Sequence, residues 1–370
     1  MGMRRHLAPA LAALLVAASA CAPAAARGPQ PAPPEPAPAA PQREVPAAGT
    51  VTTQRVPDPA PAVAAALPAA PAVEVKPALP RADLAVGHVS QSLNNCGPAS
   101  VVMILTTFGL QVSQEDARLA LRGPDWGRGM GPTPVGPWVE REFGLRAVWR
   151  TNGTAELMKT LVTNGFAPMV TQWLYDPTVA RTSHWRVVRG YDDARGVFYT
   201  QDPLRGPDLA LSYGWFEENW MPFAFRYLVV YAPEDEALVK AIIGDEWSEA
   251  GNRQGLYERT KAIAAAGPSS ATWLAFGEAA YRFGMFEEAV AAFERGISLG
   301  SPAGVFTLRS SYPQALAALG RHDEAGAMAA RLSNVSTVPA ASTTVRAPDR
   351  FALWLAAERT RPFDAVRFSD

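Results

Sequence analysis

Gln91-Ser92-Leu93-Asn94-Asn95-Cys96-Gly97-Pro98-Ala99-Ser100, running directly into Val101-Val102-Met103-Ile104-Leu105, is the stretch on which the fold turns. Pro98 suits the first turn of a helix, where its missing N–H leaves no bond unmade. Cys96 is therefore expected at or just before a helix N-terminus. Unpaired N–H groups and the helix dipole favour a thiolate over a thiol there. A cysteine so placed is a candidate nucleophile, and it needs a base and a group that orients the base.

The chain has four histidines. His6 falls in the N-terminal basic and apolar stretch and His322 in a distant helical region, which leaves His88 and His184. His88, eight residues before Cys96, is either an alternative base or a packing residue. His184 opens the expected strand His184-Trp185-Arg186-Val187-Val188-Arg189-Gly190-Tyr191, and a turn then feeds Val197-Phe198-Tyr199-Thr200-Gln201-Asp202. If Tyr191 pairs with Val197, Asp202 falls opposite Arg186, and His184 is its diagonal neighbour on the same face. A slip of one residue would send the two to opposite faces. In the expected register Asp202 accepts one imidazole N–H and fixes the tautomer that presents the other nitrogen to sulfur. Gln91, shortly before the Cys96 helix, is either an oxyanion donor acting beside a backbone N–H or a solvated loop residue. Asp192, Asp193 and Asp208 read as turn residues.

The surrounding pattern predicts helices after Cys96, within Val112–Leu121 and near Val135–Phe143, then one from the Thr154 cap through Val162. Strands are predicted at Leu145–Arg150, Ala167–Tyr175, His184–Tyr191, Val197–Gln201 and Phe225–Tyr231, with a short helix capped by Ser212 before the last. Helices first and antiparallel strands afterwards make an α+β layer arrangement. A Gly/Pro-rich loop, 123–134, carries Trp126 and Met130 and reads as one wall of a cleft.

At Gln91…Asn95-Cys96-Gly97-Pro98-Ala99-Ser100, with Ser183-His184-Trp185 and a hairpin into Gln201-Asp202-Pro203, the chain resembles the bacteriocin-processing (double-glycine leader) peptidase family of papain-like cysteine peptidases. The resemblance covers about Ala85 to Ala232. It implies an α+β papain-like domain with Cys96 as nucleophile, His184 as base, Asp202 as orienting acid and Gln91 as oxyanion donor. Asn95 stands where exporter-linked members commonly carry Asp, and Gln91 lies five rather than six residues before Cys96. No transporter helices or nucleotide-binding loop follow, so cleavage at double-glycine leaders is not implied. The chain looks like a stand-alone member.

The rest of the chain frames that domain. A net charge of -1 over 370 residues, with pI near 6.5, gives no basic footprint for nucleic acid. No His/Cys cluster has metal-ligand spacing and no phosphate-cradling loop precedes a helix, so neither metal nor cofactor is expected. Arg4 and Arg5, an apolar core and Ala18-Ser19-Ala20 ahead of Cys21 read as an export signal over 1–20. Small residues before Cys resemble a bacterial lipoprotein signal, with Cys21 as the acylated residue and the lipid as the only membrane contact; plain secretion is the alternative. With Cys21 so used, a disulfide to Cys96 is not expected. Residues 21–82 are rich in Ala and Pro and read as a disordered, extended linker, and 83–233 as the peptidase domain. Residues 234–370 look all-helical. Trp273-Leu274-Ala275-Phe276-Gly277, then Ala279, Gly284, Phe286, Ala289 and Phe293, resembles a tetratricopeptide repeat, and Gly320, Ala325 and Ala329 give a weaker copy 36 residues on. The expectation is thus an exported, lipid-anchored cysteine peptidase in the cell envelope, acting on peptide or protein substrates, with the repeats docking a protein partner. The alternative is a non-catalytic peptide-binding adaptor lipoprotein.

Overall fold

The computed structural model describes residues 73–124, 129–176, 179–300 and 308–333. The expected export signal, Cys21 and most of the Ala/Pro-rich linker lie outside the described residues, as does Trp126. Strands β1 (Arg81–Asp83), β2 (Arg146–Arg150), β3 (Met169–Asp176), β4 (Val179–Asp192), β5 (Val197–Asp202), β6 (Gly206–Ser212) and β7 (Tyr227–Tyr231) form one sheet in the order β2-β7-β3-β4-β5-β6. β1 adds to β4 at 190–192, and every pairing is antiparallel.

The sheet is covered on both faces, and the strands alternate accordingly. Met169, Val187, Leu228 and Val230 pack with α1 (Cys96–Leu105), α2 (Gln114–Arg122) and α3 (Val135–Phe143). Their neighbours Val170, Val188, Tyr227 and Val229 pack with α4 (Ala155–Thr163) and α5 (Tyr213–Trp220). A side-chain period of two with both faces apolar gives the near-continuous hydrophobic runs of β3, β4 and β7. Ser113, Thr154 and Ser212 cap α2, α4 and α5 by accepting from Asp116, Leu157 and Trp215 backbone N–H groups.

Two strands escape the sequence reading. β6 begins Gly206-Pro207-Asp208, which reads as a turn; its place at the sheet edge tolerates Pro207. β1 ends the Ala/Pro-rich segment and has only three residues, too few to show a period. It takes the edge of β4 beyond Val187, where β3 has ended. The segment before it is also seated. Lys76 N–H donates to Asn164 Oδ1 (3.0 Å), Tyr191 Oη donates to Leu79 O (2.6 Å), and Asp193 N–H donates to Pro80 O (3.0 Å). Residues 76–80, expected within the linker, thus exchange hydrogen bonds with Asn164, Tyr191 and Asp193 of the domain.

Beyond β7 the described chain is helical: α6 (Glu236–Ile243), α7 (Glu249–Ala266), α8 (Ser270–Phe283), α9 (Phe286–Leu299), α10 (Leu308–Ala318) and α11 (His322–Ser333). Val239, Ile243, Leu256, Ala275 and Ala279 belong to the same apolar cluster as the sheet's α4/α5 face. The first helices of this region therefore share the domain's core. α8 to α11 have a cluster of their own around Leu274, Phe293, Tyr312 and Leu316. Gly277 lets α9 close in, since a Cβ there would lie 2.5 Å from the Phe293 ring. Among the described residues no helix is long and apolar enough to cross a membrane.

Polar groups lock the junction as well. Asn252 Oδ1 accepts from the Thr151 N–H (3.0 Å) and Oγ1 (2.8 Å), and its Nδ2 donates to Thr151 O (2.8 Å), all buried. Arg259 Nη1 donates to Gly153 O (2.8 Å) while its guanidinium lies 3.9 Å from the centre of the Phe225 ring. Asn252→Ala leaves a buried N–H, hydroxyl and carbonyl unpaired, each worth about 1–3 kcal/mol. A loss of about 3 kcal/mol or more in denaturant unfolding is expected.

Candidate active site

The site begins at the tip of α1. Asn94 sits in the left-handed region (φ 55°), which Asn tolerates, and turns the chain into the helix. Asn95 is buried: its Nδ2 donates to Ser92 Oγ (2.7 Å), its Oδ1 accepts from Arg122 Nη1, and its carbonyl receives the Ala99 N–H (2.9 Å). Asn95 is thus a fixed corner that aims the next residue. Cys96, the first helical residue, is 9% exposed, and its thiol is free. Gly97 is needed beside it, because a Cβ there would lie 2.7 Å from Met130 Cβ. Met130 is in turn held by Trp185, whose indole N–H donates to Met130 O (3.0 Å). The described part of the 123–134 loop so forms a wall against the Cys96 turn.

The candidate base and acid, His184 and Asp202, come from β4 and β5. The hairpin between them starts one residue away from the expected register, with Tyr191 opposite Phe198 rather than Val197. An irregularity between Val188 and Gly190 then absorbs one residue, so that Val187 faces Gln201. Beyond that bulge the expected register holds, and Asp202 meets both Arg186 and His184. His184 Nε2 donates to Asp202 Oδ1 (2.8 Å), and Arg186 Nε donates to Asp202 Oδ2 (2.6 Å). Asp202 Oδ1 also accepts from the Leu204 (2.8 Å) and Arg205 (2.9 Å) N–H groups. His184 and Asp202 are almost wholly buried. With Nε2 committed to the acid, Nδ1 is the nitrogen left for the sulfur, and the His184 side chain is hydrogen-bonded to Cys96.

The electrostatics follow from this packing. Burial pushes the Cys96 thiol up, but the hydrogen bond and positive charge of His184, with the Trp185 and Gly97 N–H groups, outweigh it, and the thiol titrates below its ordinary range. Burial works against the His184 imidazolium; the charge and hydrogen bond of Asp202 and the bond to Cys96 prevail and raise its pKa, with Arg186 opposing. Burial also disfavours the Asp202 carboxylate, yet the charges of His184 and Arg186 and the bonds from His184 and Arg205 hold it well below the usual carboxylate range. Both shifts favour moving the thiol proton to the imidazole, the direction a cysteine nucleophile requires.

His88, weighed as an alternative base, is elsewhere occupied: its Nε2 bonds the Asp202 carbonyl (3.0 Å) and ties the segment before α1 to the end of β5. Gln91 reaches the same corner, where its N–H donates to Pro203 O (2.7 Å). Its side-chain oxygen is buried without a hydrogen-bond partner, an exception among buried polar groups. Among the described residues no group of three His, Cys, Asp or Glu is placed to hold a metal ion. Arg186 entered the sequence reading only as a register marker. Its contact with Asp202 follows from the hairpin register, but an arginine within a strand carries no signal of its own.

Residues 83–227, which contain the whole of this arrangement, match the model of the Peptidase_C39 like family. The α+β domain is similar to C39-like peptidases. Among solved structures, the chain resembles a putative C39-like peptidase from Bacillus anthracis, at 17% identity and a TM-score of 0.34, over 40% of this chain and 96% of that one. No curated protein matches the chain. The C39-like stretch begins within β1 and ends at Tyr227, the first residue of β7, so the match stops short of the helical region.

Proposed function

We propose that this protein is a cysteine peptidase that cleaves a peptide or amide bond through a thioester at Cys96. The observation that carries the reading is the convergence of Cys96, His184 and Asp202 in one buried, hydrogen-bonded line. Similarity of residues 83–227 to a C39-like peptidase family supports the same chemistry. The thiolate attacks the carbonyl carbon, and the displaced π pair becomes an oxyanion held by Gln91 and a backbone N–H. Collapse breaks the C–N bond while His184 passes its proton to the leaving amine. Water then attacks the thioester, losing a proton to His184, and the thiolate leaves. Asp202 keeps the ring oriented in both halves and stays ionised throughout.

The wider setting belongs to the same proposal. The chain is exported and held in the cell envelope by a lipid on Cys21, with the Ala/Pro-rich segment as spacer. The helices from α7 onward are tetratricopeptide-like and dock a partner protein or the substrate. Paired helices with a glycine at the close approach of α8 and α9 support that reading.

The test is covalent trapping. The full chain, incubated with a mixed peptide pool and quenched in acid, should carry an acyl group on Cys96 by mass spectrometry, and the pool should show new termini. An active protein whose acyl group or probe adduct maps elsewhere overturns the assignment. Because the thiol titrates low and the imidazole high, hydrolysis should rise through acid pH and be fully developed well below the ordinary thiol value of about 8.5.

A further inference from the structure

Asp202 does not serve His184 alone. Arg186 takes its second oxygen through Nε (2.6 Å). The guanidinium is itself held from two other directions. Its Nη1 donates to Gln172 Oε1 (3.2 Å), whose Nε2 donates to Phe216 O (2.8 Å), and the Trp215 ring lies 5.4 Å from its centre. Arg186, Gln172, His184 and Asp202 are all buried, so this is a fixed chain from β3 and α5 through arginine and carboxylate to the imidazole. A buried arginine is expensive to desolvate and persists only when fully paired.

Charge arithmetic shows what it is for. With a neutral Cys96–His184 pair, Arg186 and Asp202 cancel. With a thiolate and an imidazolium, the four charges still cancel. Arg186 thus holds the net buried charge at zero in both forms of the pair. Without Arg186 the same site carries one uncompensated negative charge in either state, which favours proton retention on both members. The other charged or titratable groups facing this line are His88 on the Asp202 carbonyl, Arg205 just beyond β5, and Arg122 of α2 on Asn95. Of these, Arg205 reaches the carboxylate through its backbone N–H, which donates to Asp202 Oδ1 (2.9 Å).

We infer that Arg186 is a positioning residue of the peptidase site: its guanidinium holds the second oxygen of Asp202 so that the first faces His184, and its charge balances that carboxylate so that Cys96 can rest as a thiolate. The inference rests on the proposal that Cys96 and His184 are the reacting pair. It names a residue outside the Cys, His, Asp and Gln set.

Thiolate absorbance in the ultraviolet, measured on the full chain against its Cys96→Ala counterpart, tests it. The wild-type midpoint should lie below the ordinary thiol value. Arg186→Gln, which keeps an amide donor but no charge, should move the midpoint alkaline by about one pH unit or more. Arg186→Lys, which keeps the charge and loses the fork, should stay near wild type in midpoint while slowing turnover. A purely structural arginine would lower stability in both variants and leave both midpoints alone. A depressed wild-type midpoint that Arg186→Gln does not move overturns this inference alone, as does an equal shift in Arg186→Lys. A wild-type midpoint at the ordinary thiol value overturns the cysteine reading and this inference with it. Should Arg186→Gln fail to fold, Gln172→Glu sets a carboxylate against Nη1, and the same alkaline shift is expected; no shift overturns the inference.

Discussion

Replacing Cys96 by alanine should abolish hydrolysis, with a fall in kcat of about 10⁶-fold, the scale of removing a nucleophile from a cooperating set. The fold should survive. The turn that presents Cys96 is held by Asn95, through Ser92, Arg122 and the Ala99 N–H, and none of these contacts uses the sulfur. Only one buried atom is lost per chain, so the unfolding midpoint should move by no more than a few degrees. Serine in the same place keeps the volume but not the low-lying ionisation, and should be nearly as inactive. The check is hydrolysis of the peptide pool beside a thermal melt on the same sample. Retained hydrolysis by a folded Cys96→Ala protein sinks the assignment.

Asp202→Asn should be the second most damaging change, and it acts on both activity and stability. Four donors converge on this carboxylate: His184 Nε2, Arg186 Nε and the Leu204 and Arg205 N–H groups. An amide brings two N–H groups of its own, so one must face a donor. The ring responds by accepting at Nε2, which leaves Nδ1 protonated toward the sulfur and unable to take the thiol proton. A loss of about 10⁴-fold in kcat is expected from that wrong tautomer. Arg186 meanwhile becomes a buried charge without a counter-ion, a defect worth about 3–5 kcal/mol. Acid titration separates the two effects. In the folded protein the Asp202 pKa is depressed, so its contribution to stability is complete above the unfolded value of about 3.9 and is lost as pH falls below it. The wild type should therefore destabilise steeply in acid, and Asp202→Asn should lose that part of the slope. Parallel acid unfolding curves would contradict the buried pairing.

The sequence carried most of the fold in its periodicities and caps. Val135–Phe143 forms the helix expected there, and Thr154 and Ser212 cap the helices they precede, because these signals are local. The register that brings Asp202 to His184 was also legible, though the molecule reaches it by another path. The expected Tyr191–Val197 pair does not form; the turn shifts by one and the bulge beside Arg189 takes the shift back. Counting from the far end of the hairpin cannot reveal such a compensation, since only the sum reaches Asp202. β6 was hidden because Gly206-Pro207-Asp208 has turn chemistry, and only its edge position makes a strand acceptable. Arg186 was illegible as a partner of the acid because its meaning is wholly tertiary. The sharing of Val239, Leu256 and Ala275 with the sheet's core is likewise absent from any local pattern.

Alkylation of Cys96 in the full chain, followed by peptide-resolved mass spectrometry across acid to alkaline pH, probes the proposed thiolate most directly. An ion pair at the tip of α1 predicts fast modification already on a plateau at neutral pH. A rate that is slow there and climbs only near the ordinary thiol value of about 8.5 would contradict it.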